Sequence, residues 1–123
     1  MKLRMIGYWG GKQWPEGPDP RELVDPDWDV DERDFVVGYL CQGYLLGEFM
    51  GTSPCRICGR PNGSAEFTDG EFLWPEGLAH YLAEHGVRLP AAFVDHATRR
   101  FDGLEGADRG DSWWLENWNR TAS

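Results

Sequence analysis

Cys55-Arg56-Ile57-Cys58-Gly59, followed downstream by His80-Tyr81-Leu82-Ala83-Glu84-His85, constrains the fold of this chain more than any other feature. A Cys-x-x-Cys turn brings both sulfurs toward one point, and Gly59 lets the backbone bend behind them. Two thiols and two imidazoles form a four-donor set that fits one tetrahedral zinc ion. Zn²⁺ is borderline-soft and accepts thiolate and imidazole together, and two thiolates cancel its charge. The expectation is one structural Zn²⁺ held by Cys55, Cys58, His80 and His85, which would draw residues 55–58 and 80–85 together.

A chain of 123 residues suits one small domain that gains from such a staple. With 41% hydrophobic and 14% aromatic residues it has the material for a core, which excludes general disorder. Net charge is −9, against the basic footprint that DNA or RNA binding requires. The acid is concentrated: Glu16 to Asp34 carries nine carboxylates against Arg21 and Arg33. Three cysteines cannot all pair, and two sit in a ligand-like turn, which suits a reducing cytosol better than a disulfide framework. The start of the chain has no apolar signal region, and no apolar run approaches a membrane span, so a cytoplasmic, unanchored protein is expected.

Residues 1–30 read as an acidic arm rich in tryptophan and proline, packed on a zinc-stabilised α+β domain over 31–123. Within the arm, Asp19-Pro20 is an N-cap and first helical position for a single turn. The first full helix is expected from Asp31 to Gln42, with Phe35, Val36, Tyr39 and Leu40 on its apolar face and Gly43 as stop. Tyr44–Met50 reads as a strand. Thr68-Asp69-Gly70 marks a turn between the strand candidates Ala65–Thr68 and Glu71–Trp74. A second helix is expected from Pro75 to Gly86 and a third from Pro90 to Phe101, which gives a knuckle, a β-hairpin and about three helices. The aromatic segment Ser112–Trp118 gives no clear secondary-structure signal.

Knuckle, hairpin and helix with two late histidines resemble the ββα zinc finger of the Cys2His2 type over about residues 53–87. The gap between Cys58 and His80 holds 21 residues, where that finger has about a dozen, so a treble-clef-like variant fits as well and the DNA-reading role of the family does not carry over. A wider pattern resembles a group of small uncharacterised bacterial zinc proteins. It comprises Cys55-Arg56-Ile57-Cys58-Gly59, Thr68-Asp69-Gly70, Trp74-Pro75-Glu76-Gly77-Leu78-Ala79-His80-Tyr81 and His85-Gly86-Val87-Arg88-Leu89-Pro90, and it implies no activity. His80 and His85 stand five positions apart, about 140° around an ideal helix. His85 must therefore swing in from a loosened last turn, which Gly86 permits.

Other constellations are weaker. Asp25 to Asp31 lacks both the glycine and the closing glutamate of a calcium loop. His80-x-x-x-Glu84-His85 matches neither zinc-protease helix pattern. Cys41 is expected to be a buried small residue on the core face of the first helix. His96 is expected at the surface, in preference to a spare ligand or an acid–base group. Trp9, Trp14, Trp28 and Trp74 are expected as anchors of the arm and core. Trp113, Trp114 and Trp118 either pack back on the domain or present an aromatic hot spot.

The function expected from these features is a non-catalytic, zinc-binding protein-interaction or regulatory module. The partner expected is another protein, with basic character to suit the acidic surface, met by Asp27, Asp29 and Asp31 and by Trp113, Trp114 and Trp118; membranes and nucleic acid are not expected partners. The alternative is a small metal-dependent, hydrolase-like enzyme using His96, Glu84 or an exchangeable zinc ligand. Nucleic-acid binding by finger analogy ranks third because of the charge.

Overall fold

Residues 1–12 and 14–119 are described by a computed structural model. Local capping starts the helical layer. The Asp29 carboxylate accepts the Glu32 N–H at 2.9 Å, so helix α1 runs Val30–Leu40, beginning one residue before the expected Asp31 and ending before Gln42. Val36 and Leu40, one turn apart, are its buried residues. Cys41 follows Leu40 by about 100°, and it is exposed at the helix C-cap. The expectation of a buried Cys41 fails because the core-facing stripe has ended at Leu40. In the arm, Asp19 caps a single 3₁₀ turn over Pro20–Leu23, accepting the Arg21 N–H at 2.9 Å.

Among the described residues the sheet has four strands: β1 (Arg4–Met5), β2 (Tyr44–Glu48), β3 (Ala65–Thr68) and β4 (Phe72–Pro75), in the order β1-β4-β3-β2. β2 and β4 run antiparallel to β3, while β1 is parallel to β4, with Met5 opposite Leu73. The β3–β4 turn is built by Asp69, whose Oδ1 accepts the N–H groups of Glu71 and Phe72 at 2.9 and 2.8 Å. Strand alternation places Phe67 opposite Trp74 on the face that packs into the core, and Glu66 opposite Pro75 on the other. β1 gives no sequence signal, since two residues are too few to show a period.

Helices α2 (Leu78–His85), α3 (Ala91–Glu105) and α4 (Ser112–Asn117) complete the architecture, an α+β single domain with four α-helices among the described residues where about three were expected. α2 starts at Leu78 instead of Pro75 because Pro75 still belongs to β4, opposite Glu66. α3 continues one turn beyond the expected Phe101. The core between sheet and helices is Trp74, Leu78, Leu82, Val36, Val87 and Phe93, with Trp28 of the acidic segment among its buried members. Burying each such side chain is worth about 1.5–3 kcal/mol. Trp74 also satisfies its indole N–H on the Leu40 carbonyl at 3.1 Å, which ties β4 to the end of α1. No helix among the described residues is long and apolar enough to cross a membrane.

Candidate metal centre

The segment between β2 and β3 forms a narrow ribbon whose tip is the Cys-x-x-Cys turn. Ser53 N–H donates to the Gly63 carbonyl, Asn62 N–H to that of Ser53, and Cys55 N–H to that of Arg60, at 3.0, 2.8 and 2.8 Å. At the tip, Gly59 N–H returns to the Cys55 carbonyl at 2.8 Å with Gly59 at φ +76°, the left-handed conformation glycine adopts freely. The ribbon is pinned to α2 by two hydrogen bonds. Arg56 N–H donates to the Tyr81 hydroxyl at 2.8 Å, and the Asn62 side-chain amide donates to the Gly77 carbonyl at 3.1 Å. Neither Tyr81 nor Asn62 carries a sequence signal for this positioning role.

The expected loosening of the last turn of α2 is not seen: His85 is still helical and Gly86 N–H keeps the regular bond to the Leu82 carbonyl, so it is the reach of the two side chains that spans the 140° offset. His85 is the last helical residue, and Gly86 follows at φ +66°, ψ +24°. Gly86 and Val87 N–H groups donate back to Leu82 and Tyr81, the pattern of a left-handed helix cap. The two imidazole rings end 5.0 Å apart, close to perpendicular.

One donor atom from each of Cys55, Cys58, His80 and His85 lies within 4.8 Å of the other three, a cluster that could hold a metal ion. Cys58 Sγ and His80 Nε2 are 3.4 Å apart. A tetrahedral ion with one sulfur and one nitrogen ligand at ordinary bond lengths sets that edge at about 3.5 Å. His85 Nε2 is buried with no hydrogen-bond partner, and a bound cation would supply one. Burial would raise the pKa of the Cys55 thiol, but hydrogen bonds from the Cys58 and Ile57 backbone N–H groups, and from the Cys58 and Tyr81 side chains, outweigh it and hold the pKa below its ordinary value. A lowered thiol pKa at a buried cysteine suits a metal ligand, which binds with its proton released.

The other candidate residues lie outside this cluster. Glu84 is exposed beside His85. His96 is not the surface histidine expected, for its side chain is only 12% exposed, packed on Phe72 with its Nε2 2.7 Å from Asp69 Oδ2. Its placement depends on α3 lying against the β3–β4 turn, a long-range contact that local sequence does not encode. Asp27, Asp29 and Asp31 are exposed, Asp29 serving as the α1 cap. Trp113, Trp114 and Trp118 are exposed on and just after α4. Of the four expected anchors, Trp28 and Trp74 are buried, Trp9 is half-buried against Tyr81, and Trp14 is exposed. No family model, no curated protein and no solved structure matches the chain, so the assignment of Cys55, Cys58, His80 and His85 as a possible metal site rests on their geometry alone.

Proposed function

We propose that the cluster holds one structural Zn²⁺ and that the protein is a non-catalytic binding module that contacts another protein. The observation that carries this reading is the convergence of two thiols and two imidazoles from the ribbon and α2 within 4.8 Å. Four protein donors fill a tetrahedral ion, leaving no vertex for the bound water that a hydrolytic zinc needs. When bound, the ion supplies a cross-link between ribbon and helix. Around it, Tyr81 and Asn62 orient the ribbon, Gly86 ends α2 directly after His85, and Cys55 and Cys58 provide the countercharge.

The proposed partner surface consists of the exposed carboxylates Asp27, Asp29 and Asp31 together with Trp113, Trp114 and Trp118. Acidic side chains favour a basic partner, and exposed tryptophans are frequent anchors at interfaces. Nucleic acid fits poorly, because net charge is −9 and Arg88 is already paired with Asp25 at 2.9 Å.

The metal and the module are tested separately. Elemental analysis of the protein, purified without chelator, is expected to give about one zinc per chain, and cobalt substitution a tetrahedral thiolate spectrum. A folded sample free of zinc would overturn the metal assignment. For the module, a partner captured from the native cell and re-purified should lose affinity with Trp113→Ala or Trp114→Ala. Turnover of a metabolite that disappears with His96→Ala while zinc is retained would favour an enzyme instead.

A further inference from the structure

β2 is an edge strand: among the described residues it pairs with β3 on one side and with no strand on the other. The direction of its free backbone groups follows from β3. There the Ala65 carbonyl accepts the Glu76 N–H at 2.8 Å and the Asp69 N–H donates to the Phe72 carbonyl at 3.4 Å, so Ala65, Phe67 and Asp69 address β4. Alternate residues address the other neighbour, as the Ser64 carbonyl does in accepting the Phe49 N–H at 2.7 Å. Leu45 stands opposite Phe67, so its own N–H and C=O point away from β3, to the open edge. Edge strands are commonly guarded against pairing by charge or proline along them. The centre of β2 has neither: Tyr44, Leu45 and Leu46 are all exposed, and Phe49 and Met50 prolong the row. The bulge between Leu45 and Gly47 follows this centre and leaves Tyr44 and Leu45 in regular register. Leu45 continues the row of Trp74 and Phe67 on the core face, yet it is 57% exposed. The helices therefore stop short of this edge and leave room beside it.

Charge selects what can cover it. In a chain with 21 acidic and 12 basic residues, two copies repel over most of their surface. Residues 35–65 are the exception, holding one carboxylate, Glu48, against Arg56 and Arg60. The exposed tryptophans of α4 are no equivalent, because Asp102, Glu105, Asp108, Asp111 and Glu116 accompany them along the chain. A basic partner finds little to bind on β2, whereas a second copy brings the same neutral, apolar row. Tyr44, Leu45, Leu46, Phe49 and Met50 together expose on the order of 700 Å² per copy, close to the about 800 Å² that each partner gives a standard interface.

We propose that the protein self-associates as a two-fold dimer, in which β2 of one copy pairs antiparallel with β2 of a second, centred on Leu45. Each Leu45 then exchanges its outward N–H and C=O with the other, which satisfies the open edge in both copies at once. Tyr44 faces Leu46 of the second copy, apolar against apolar. Glu48 falls opposite Gln42 of the second copy. The two Glu48 carboxylates are thereby about 20 Å apart, beyond the screening length of about 8 Å at physiological salt. The two sheets become one. This contact uses neither the metal ligands nor the acidic run, so it stands apart from the function proposed above.

Sedimentation equilibrium of the full chain, with zinc content measured in each sample, tests the contact. A concentration-dependent dimer is expected below about 100 μM chain. Leu45→Lys and Leu45→Glu each set like charges against one another across the two-fold, and each should weaken dimerisation by about a hundredfold or more. The position is exposed, so the circular dichroism of both variants should match wild type. Mixing the two variants in equal amounts should restore the dimer, since the lysine of one then meets the glutamate of the other. Only a residue that faces its own counterpart gives that result. In wild type, exchange of the Leu45 amide hydrogen should slow as chain concentration rises through the transition, a readout that needs no variant. A wild-type chain monomeric throughout that range, a dimer untouched by either variant, folded variants that fail to recombine, or Leu45 exchange that ignores concentration would each overturn the proposal.

Discussion

His96 Nε2 lies 2.7 Å from Asp69 Oδ2, and the same oxygen accepts the Tyr39 hydroxyl at 2.5 Å. Three elements meet at that atom: α1 through Tyr39, the β3–β4 turn through Asp69, and α3 through His96. The other carboxylate oxygen closes the turn by accepting two backbone N–H groups. Every lone-pair direction of a buried carboxylate is therefore used, which is the condition under which such a group is tolerated in a core. Burial alone would raise the Asp69 pKa. The Phe72 N–H, the Tyr39 hydroxyl, His96 and the Glu71 N–H together outweigh it and lower the carboxyl from 3.8 to about 2.

Asp69→Ala should therefore cost about 2–4 kcal/mol in chemical unfolding, since it strands a hydroxyl, an imidazole and two backbone donors. Asp69→Asn should cost less, because its amide oxygen can still accept the turn N–H groups. The pH dependence has a definite sign. A carboxyl whose folded pKa is depressed contributes stability above its unfolded value near 3.8, and that contribution is lost as pH falls toward about 2. Unfolding midpoints measured between about pH 5 and pH 2 should drop more steeply for wild type than for Asp69→Asn; parallel slopes would contradict the network.

Metal removal tests the other centre. Cys55→Ser or His80→Ala should abolish stoichiometric metal binding and lower the melting temperature sharply, since structural zinc can be worth about 10 kcal/mol or more in small domains. His85→Cys should retain both metal and fold, because a thiolate can occupy the same vertex. Metal release on acidification, followed with a chromogenic chelator, should precede unfolding as protons compete for the thiolates and imidazoles. Wild-type stability that does not change after chelation would show that the cluster is no structural site.

The parts of the molecule legible in its sequence are those fixed by neighbours along the chain. Cys55-x-x-Cys58 could be grouped because turn geometry brings the two together locally, the late histidines because they share one short helix, and Gly86 signalled where that helix ends. The Asp19-Pro20 turn and the Thr68-Asp69-Gly70 turn were readable for the same reason. Cys41 and His96 were not. Whether Cys41 faces core or solvent depends on α1 ending at Leu40, and His96 is largely covered only because α3 packs against Asp69. The contact of Arg56 with the Gly10 carbonyl was not readable either, since it needs the arm, 46 residues earlier, to fold back to the knuckle.

The tryptophans should separate cleanly into two energetic classes. Trp74 is 1% exposed and donates to Leu40, so Trp74→Phe should lose that hydrogen bond and Trp74→Ala should cost about 3–5 kcal/mol. Trp113 is 71% exposed, and Trp113→Ala should shift stability by no more than about 0.5 kcal/mol. A large loss at Trp113 in denaturant titrations would mean that α4 is part of the core and not a surface offered to a partner.

The acidic run should divide in the same way between folding and association. Asp29 caps α1, so Asp29→Ala should cost about 1 kcal/mol in stability. Asp27 is exposed and its own carboxylate caps nothing, so Asp27→Asn should leave stability within about 0.5 kcal/mol. If the run steers a basic partner, Asp27→Asn combined with Asp31→Asn should slow association and flatten its salt dependence while changing dissociation little, because exposed charges act mainly before contact. Duplex DNA should show only weak, non-specific binding at about 150 mM salt, since a net charge of −9 repels the phosphate backbone. Stopped-flow association with an identified partner distinguishes these cases. An unchanged on-rate in the double variant would remove the acidic run from the interface, and submicromolar DNA binding lost on Arg88→Ala would redirect the functional reading to nucleic acid.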